Sequence, residues 1–190
     1  FQSRTGDTTQ NVATDLRAQS ASNFRIRAAR REDMAMIAGF VRSSSEWYRP
    51  FVTEKDMREH DVGEAWAEDN FRRREFYVGE HRSQGVGTIS LQHFGRHTYL
   101  GYIYLDVRHV GQGFGQRLMR FAERVSRARG MKTMNLIAHP QADWAKRAYL
   151  KYGFEIIETD RDAILSWNDG ALHGYYEEGF ELYEYELGTS

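Results

Sequence analysis

The stretch Tyr99–Glu123, YLGYIYLDVRHVGQGFGQRLMRFAE, decides the fold. Its first part, through Val107, is crowded with aromatic and branched residues, the composition of a strand. Gly111, Gly113 and Gly115 then alternate with Val110, Gln112 and Phe114. Beyond them Phe114, Leu118, Phe121, Ala122 and Val125 recur at helical spacing, which predicts a helix with one apolar face. A strand therefore runs through a glycine-rich bend into a helix. The first N–H groups of a helix have no partner inside it and carry partial positive charge. Glycines at that mouth let an anion approach the backbone, so the bend is a candidate phosphate socket.

Spacing separates the known sockets of this kind. A dinucleotide fingerprint needs glycine at its first, third and sixth positions, and counting from Gly111 the sixth is Gln116. A P-loop needs Gly-Lys followed by Ser or Thr, which is absent. Further along, Ala142–Phe154 reads ADWAKRAYLKYGF. Between the two segments, Met131 to Ala138 reads as a strand that follows a helix terminator, Gly130.

These two segments together resemble the GCN5-related N-acetyltransferase (GNAT) superfamily. Its pyrophosphate loop is Gln/Arg-x-x-Gly-x-Gly/Ala, matched here by Gly113 and Gly115, with Val110 in place of Gln or Arg. Its later pattern, Asn-x-x-Ala-x-x-Leu-Tyr-x-x-x-Gly-Phe, is matched by Ala145, Tyr149, Gly153 and Phe154. Ala142 replaces the Asn and Ala148 the Leu. The resemblance implies an α+β three-layer fold: a mixed, mostly antiparallel sheet of six to seven strands flanked by about four helices.

It also implies a reaction, acetyl transfer from acetyl-CoA to a primary amine of a small molecule or peptide, by direct attack in a ternary complex. On the matched positions, Leu105, Asp106, Val107, Val110, Gly111, Gln112, Gly113, Phe114, Gly115, Gln116, Ala142, Ala145 and Tyr149 are expected to hold the co-substrate. The Leu105 N–H would polarise the thioester carbonyl, and Tyr149 would serve the leaving thiolate as general acid. The acceptor is expected between the first helical region and the loop before the last strand, with Trp47, Tyr48, Tyr104 and Tyr175 as its contacts. Arg117, Arg120, Lys146 and Arg147 are expected candidates for the 3′-phosphate. Two alternatives stand beside this reading: a non-catalytic acyl-CoA-binding regulator, and an acyltransferase for longer acyl chains.

The remaining chain sets bounds. Its 190 residues suit one domain, and 26 basic against 27 acidic residues give a net charge of −1, with no global argument for nucleic acid or membrane. With no cysteine there is no disulfide, thiolate metal site or cysteine nucleophile. No apolar run reaches spanning length, so a cytoplasmic protein is expected, with a homodimer left open. Phe1-Gln2-Ser3 reads as a tag remnant and residues 4–22 as a polar, mobile leader, leaving 23–190 as the domain.

Alternation in Phe24–Ala28 predicts a first strand, followed by a helix opened by Glu32 and Asp33 and broken at Ser43–Pro50. Trp47 and Tyr48 would then lie on a loop. Thr53 with Asp56 starts a second helix, predicted to run to about Arg74. A hairpin of Glu75–Glu80 and Gly85–Gln92 follows. The segment 160–179 is predicted to be a long connection, serving as acceptor wall, lid or dimer contact, before a last strand at Phe180–Leu187.

The general base is open among Glu80, His93, Tyr104, Asp106, His173 and Glu177. Two metal readings fail on spacing. His93 and His97 flank a turn rather than sharing a helix face, and Asp160-Arg161-Asp162 lacks the glycine a calcium loop requires, having Leu165 there.

Overall fold

The computed structural model describes residues 23–58 and 62–188; the predicted leader lies outside them. Seven strands form one sheet: β1 Phe24–Ala28, β2 Glu75–His81, β3 Gln84–Phe94, β4 His97–Leu105, β5 Thr133–Ala138, β6 Glu155–Glu158 and β7 Glu181–Glu186. Their order is β1-β2-β3-β4-β5-β7-β6, and every pair is antiparallel except β4 with β5. Six α-helices are described: α1 Met34–Tyr48, α2 Glu54–Arg58, α3 Glu64–Arg73, α4 Phe114–Ala128, α5 Asp143–Tyr152 and α6 Arg161–Ser166.

The layers follow from which residues each element buries. On one face α4 inserts Phe114, Leu118, Met119 and Ala122 against Ile89, Leu91, Leu100, Met134 and Leu136 of the sheet. Phe154, after α5, joins the same core. On the other face α1 buries Met34 and Ile37 against Phe76 and Val78 of β2. Apart from Ala122, each of these side chains withdraws about 1.5–3 kcal/mol worth of apolar surface from water, an upper bound because the unfolded chain is already partly compact.

Three helical expectations need correction. The first helix does not break at Ser43; it continues to Tyr48. The Ser43 and Ser44 hydroxyls donate to the Phe40 carbonyl at 3.0 and 3.1 Å, so the serines satisfy themselves within the helix. Pro50, which has no N–H, follows the end instead. Second, the stretch from Thr53 to Arg74 is two helices. Thr53 caps α2 as anticipated, its Oγ1 accepting from the Asp56 N–H at 3.1 Å. Gly63, in an extended conformation, opens α3 separately. Third, residues 160–179 are not a bare connection. They hold α6, capped by Asp160, and bury Ile164 and Leu172 against Tyr99 and Leu182.

One irregularity shapes the site. The β3–β4 register slips by one residue between Thr88 and Ser90, putting an extra residue into β4. There Tyr102 takes φ 45°, a strained conformation for a non-glycine. Trp66 Nε1 donates to its hydroxyl at 3.0 Å, and the Arg74 guanidinium lies 4.7 Å from its ring, which holds it in place. A bulge bends the strand that carries it. Accordingly β4 pairs with β5 only from His97 to Tyr99, and beyond that the two strands part.

Candidate active site

The parting of β4 and β5 opens a cavity of about 300 Å³. Its floor is Tyr99–Tyr104 of β4 and Leu136–Ala138 of β5. Its sides are Tyr48, Arg74, Ala142, Ala145, Tyr149 and the segment around Tyr175–Glu177.

The backbone of β4 is turned into this gap. Asp106 N–H donates to the Val86 carbonyl of β3 at 2.8 Å. Peptide groups along a strand alternate sides, so the Leu105 N–H and C=O point away from β3, to the flank where β5 has departed. Asp106 itself is spent on the turn. Its carboxylate accepts from the Arg108 N–H and side chain, at 3.0 and 2.8 Å, and these bonds hold its pKa down at about 2. The strand stops at Leu105, two residues before its predicted end, because Asp106 caps the single 3-10 turn Val107–His109.

The glycine bend follows directly. Gly111 and Gly113 have φ 83° and 84°, a region in which a side chain is strained, and no atom lies within 4 Å of where a Cβ on either would project. Gly113 is the N-cap of α4, and the first bond of the helix runs from Arg117 N–H to Gly113 C=O at 3.3 Å. The N–H groups of Phe114, Gly115 and Gln116 therefore have no carbonyl within their own helix. This open, donor-rich bend fits a diphosphate. The Gln116 side chain is tied elsewhere, donating to the Ala148 carbonyl at 2.9 Å and fastening α4 to α5. Val110, where the family pattern has a polar residue, is 38% exposed.

Tyr149 reaches the cavity from α5, its ring 5.5 Å from that of Tyr183. Burial raises its pKa far above the ordinary phenol value, with Tyr48, Tyr183 and Tyr99 adding to the effect. Tyr104 is raised likewise by burial, and by Tyr48, Tyr102 and Glu177. Tyr48 is pushed up to about 12 by burial and by Glu177, partly offset by a hydrogen bond from Tyr104. These phenols stay protonated through the neutral range, so none of them serves as a resting base. The carboxylate among them is Glu177, which is half-buried.

The other base candidates lie elsewhere. Glu80 pairs with Arg27, and His93 contacts Arg129, which pairs with Glu75 at 2.8 Å. His173 is exposed beside Gly170. Of the residues expected to meet the acceptor, Tyr48, Tyr104 and Tyr175 line the cavity. Trp47 is on the last turn of α1, 38% exposed, and packs edge-on against Trp144 at 5.3 Å, outside the lining. Ala142 and Ala145 both line the cavity, and Ala142 is buried at the start of α5, offering no side-chain cap. Lys146 is paired with Glu181 at 3.1 Å, while Arg117 lies 4.7 Å from the Phe24 ring in a basic groove with Arg120 and Arg124.

The sequence reading missed Arg74 and Tyr102. Arg74 looked like the end of a helix, and nothing local distinguishes it from Arg72 and Arg73. Tyr102 looked like one more strand aromatic, and a bulge leaves no residue-type signature here.

The acetyltransferase (GNAT) family model matches residues 32–154, more than half of the chain. A search of curated proteins returns no significant match. Among solved structures, the PaiA N-acetyltransferase of Thermoplasma acidophilum, crystallised with coenzyme A, superposes with a TM-score of 0.66 at 18% identity. That match covers 86% of this chain and 98% of the other. Ard1 of Thermoplasma volcanium gives 0.67 at 19% identity, over 88% and 99% of the two chains. The N-acetylglutamate synthase of Neisseria gonorrhoeae, complexed with coenzyme A and N-acetyl-glutamate, gives 0.65 at 16% identity, over 87% of this chain and 35% of that one. At these identities the likeness is one of fold.

Proposed function

Because the chain belongs to the GNAT acetyltransferase family, we propose that it transfers an acetyl group from acetyl-CoA to the amine of a small acceptor, by direct attack within a ternary complex. The observation that carries this reading is the parting of β4 and β5, which opens a cavity that Tyr149 lines, while the glycine bend follows the end of β4 a few residues on and lies outside that lining. In this reading the N–H groups at the start of α4 bind the diphosphate of the co-substrate. The outward peptide groups of Leu105 and its neighbours on β4 hold the pantetheine arm as an added strand would be held. That directs the thioester to the tyrosine-lined end of the cavity.

The chemistry asks three things of these residues. A lysine-like amine is protonated at neutral pH, titrating near ~10.4, and must lose a proton before it attacks. Glu177 takes that proton, directly or through one water. As the amine nitrogen bonds to the carbonyl carbon, negative charge grows on the carbonyl oxygen, and the Leu105 N–H stabilises it. When the C–S bond breaks, the electron pair leaves on sulfur. Tyr149 then donates a hydrogen bond to the thiolate. With its pKa raised by burial, it holds its proton more firmly than a thiol at ~8.5, so its effect is chiefly that hydrogen bond and proton transfer comes second. The bonded nitrogen gives up its second proton, which passes to the thiolate, so the products are the acetamide and the free thiol, with the first proton passed from Glu177 to solvent.

The test is an amine panel with acetyl-CoA, following released thiol. Thiol release that depends on an amine, with a matching acetamide by mass, supports the reading. Tight binding of acetyl-CoA with no release on any amine would favour a regulator on the same fold.

A further inference from the structure

Arg74 carries a charge that no carboxylate among the described residues answers. It is 9% exposed and lies in the cavity wall. Its sequence neighbours Arg72 and Arg73 both pair with Asp69 on the outer side of α3. Arg74 turns inward, and among the described residues it has no carboxylate in ion-pair range. A buried charge without a counter-charge is costly, so its persistence asks for a reason.

Neutral groups hold it. Nε donates to Asn70 Oδ1 at 3.0 Å, and Asn70 is fixed in turn by donating to the Trp66 carbonyl at 3.0 Å. The rings of Tyr102 and Tyr175 lie 4.7 and 4.3 Å from the guanidinium carbon. These contacts engage Nε and the π-faced sides of the group. Among the described residues no hydrogen bond engages the terminal N–H fork, and it lies beside Gly101 of the cavity floor. A Cβ at Gly101 would come within 2.5 Å of Arg74 Nη1. Glycine there leaves the fork its room. Close to the same point, 3.0 Å from that Cβ position, is the Ser90 hydroxyl, fully buried and without a hydrogen-bond partner among the described residues.

We propose that Arg74 binds a carboxylate on the acceptor, which makes the acceptor a small amino acid or an amine of that kind. The proposal names the substrate class for the acetyl-transfer reading and rests on it for which end reacts. A planar guanidinium fork matches a carboxylate with two parallel hydrogen bonds. Among the described residues the charged side chains lining the cavity are Lys55 and Arg74 against Asp56 and Glu177, a balance that a zwitterion leaves undisturbed. Arg74 and Glu177 stand on different parts of the chain, one between α3 and β2 and one before β7. The carboxylate end of the acceptor would thus be held by Arg74 and its amine offered to Glu177 and the phenols. The space of about 300 Å³ suits a single small molecule.

The experiment compares each L-amino acid with its own C-terminal amide on the unmodified protein, by thiol release with acetyl-CoA and by calorimetry in the presence of CoA. We expect acids to exceed amides by about 10²-fold or more in kcat/KM, since an amide leaves the buried fork unmatched. Arg74→Gln should erase that preference, chiefly through KM, with CoA affinity unchanged as the control for folding. Arg74→Lys should restore part of it. Equal use of acids and amides would overturn the proposal, as would a preference that survives Arg74→Gln. Stronger binding of aminophosphonates would overturn it too. If nothing turns over but acids still bind better than amides, Arg74's role stands and the transfer reading falls. If no acid binds at all, the proposal falls on its own.

Discussion

The two parts of the candidate site are made of different material. At the Gly111–Gly115 bend the groups offered to a ligand are peptide amides, and the side chains nearby are small or engaged with the protein itself, as Gln116 and Asp106 are. At the other end the groups are side chains: Tyr48 from α1, Arg74 beside β2, Tyr104 from β4, Tyr149 from α5 and Glu177 from the last loop. A diphosphate is the same in every reaction of such a protein, and backbone donors recognise it without regard to sequence detail. An acceptor differs from one relative to the next, and only side chains can be exchanged without rebuilding the fold.

The sharpest way to break this comparison is at Glu177. If the acceptor end does the proton chemistry, Glu177→Gln should lower kcat by about 10²–10⁴-fold. The affinity for acetyl-CoA, measured by calorimetry, should stay within a factor of about 2, because the carboxylate bears on phenols and not on the glycine bend. An unchanged kcat would return the base to water.

Tyr149, which lines the cavity from α5, is the next largest effect. Tyr149→Phe removes one hydrogen bond to a developing thiolate, a charged partner, and should cost about 10–10²-fold in kcat with little change in co-substrate affinity. Burial has already made its proton hard to release, so a loss beyond that range would mean that proton transfer carries more of the step than its environment suggests. Gly113→Val should do the opposite. Forcing a branched residue to φ 84° costs about 1–2 kcal/mol, and the bend will shift to relieve it. Acetyl-CoA affinity should fall by about 5–30-fold while the acceptor's KM holds. A loss confined to the acceptor's KM would show that the bend belongs to the other end.

This contrast also explains what was legible in the sequence. The bend was readable because a left-handed backbone and an approach to an anion demand glycine, and the demand falls on closely spaced, alternating positions. The order of strands and helices around it was readable for the same local reason, from Phe24–Ala28 through to the strand at Glu181–Glu186. Helix ends were less so. Serines that bond to Phe40 extend α1 where composition suggested a break. The acceptor end was mostly hidden. Arg74 meets Tyr102 and Tyr175, partners far along the chain, and its meaning arises only when β2, β4 and the last loop are folded together. Glu177 could be named only as one acidic residue among several.

The smallest expected effect concerns a charged side chain at the backbone end. Asp106 caps the turn that carries the chain from β4 into the glycine bend, and its pKa is held at about 2, chiefly by the Arg108 side chain and N–H. The folded state prefers the ionised form. The stabilisation is therefore complete above the unfolded value of about 4 and is lost as pH falls from there through about 2. Unscreened, such a shift would amount to about 2–3 kcal/mol, but Arg108 is 79% exposed, and solvent screening reduces the expected figure to about 1 kcal/mol. Asp106→Asn should then lower the melting temperature at neutral pH by about 2–4 °C. The difference from the unmodified protein should vanish below about pH 2, where both side chains are neutral. If Asp106 serves only the turn, acetyl-CoA affinity in the variant changes no more than that loss of turn stability allows. If instead kcat collapsed at neutral pH with the melting temperature unmoved, a side chain would be doing chemistry at the end assigned to peptide amides.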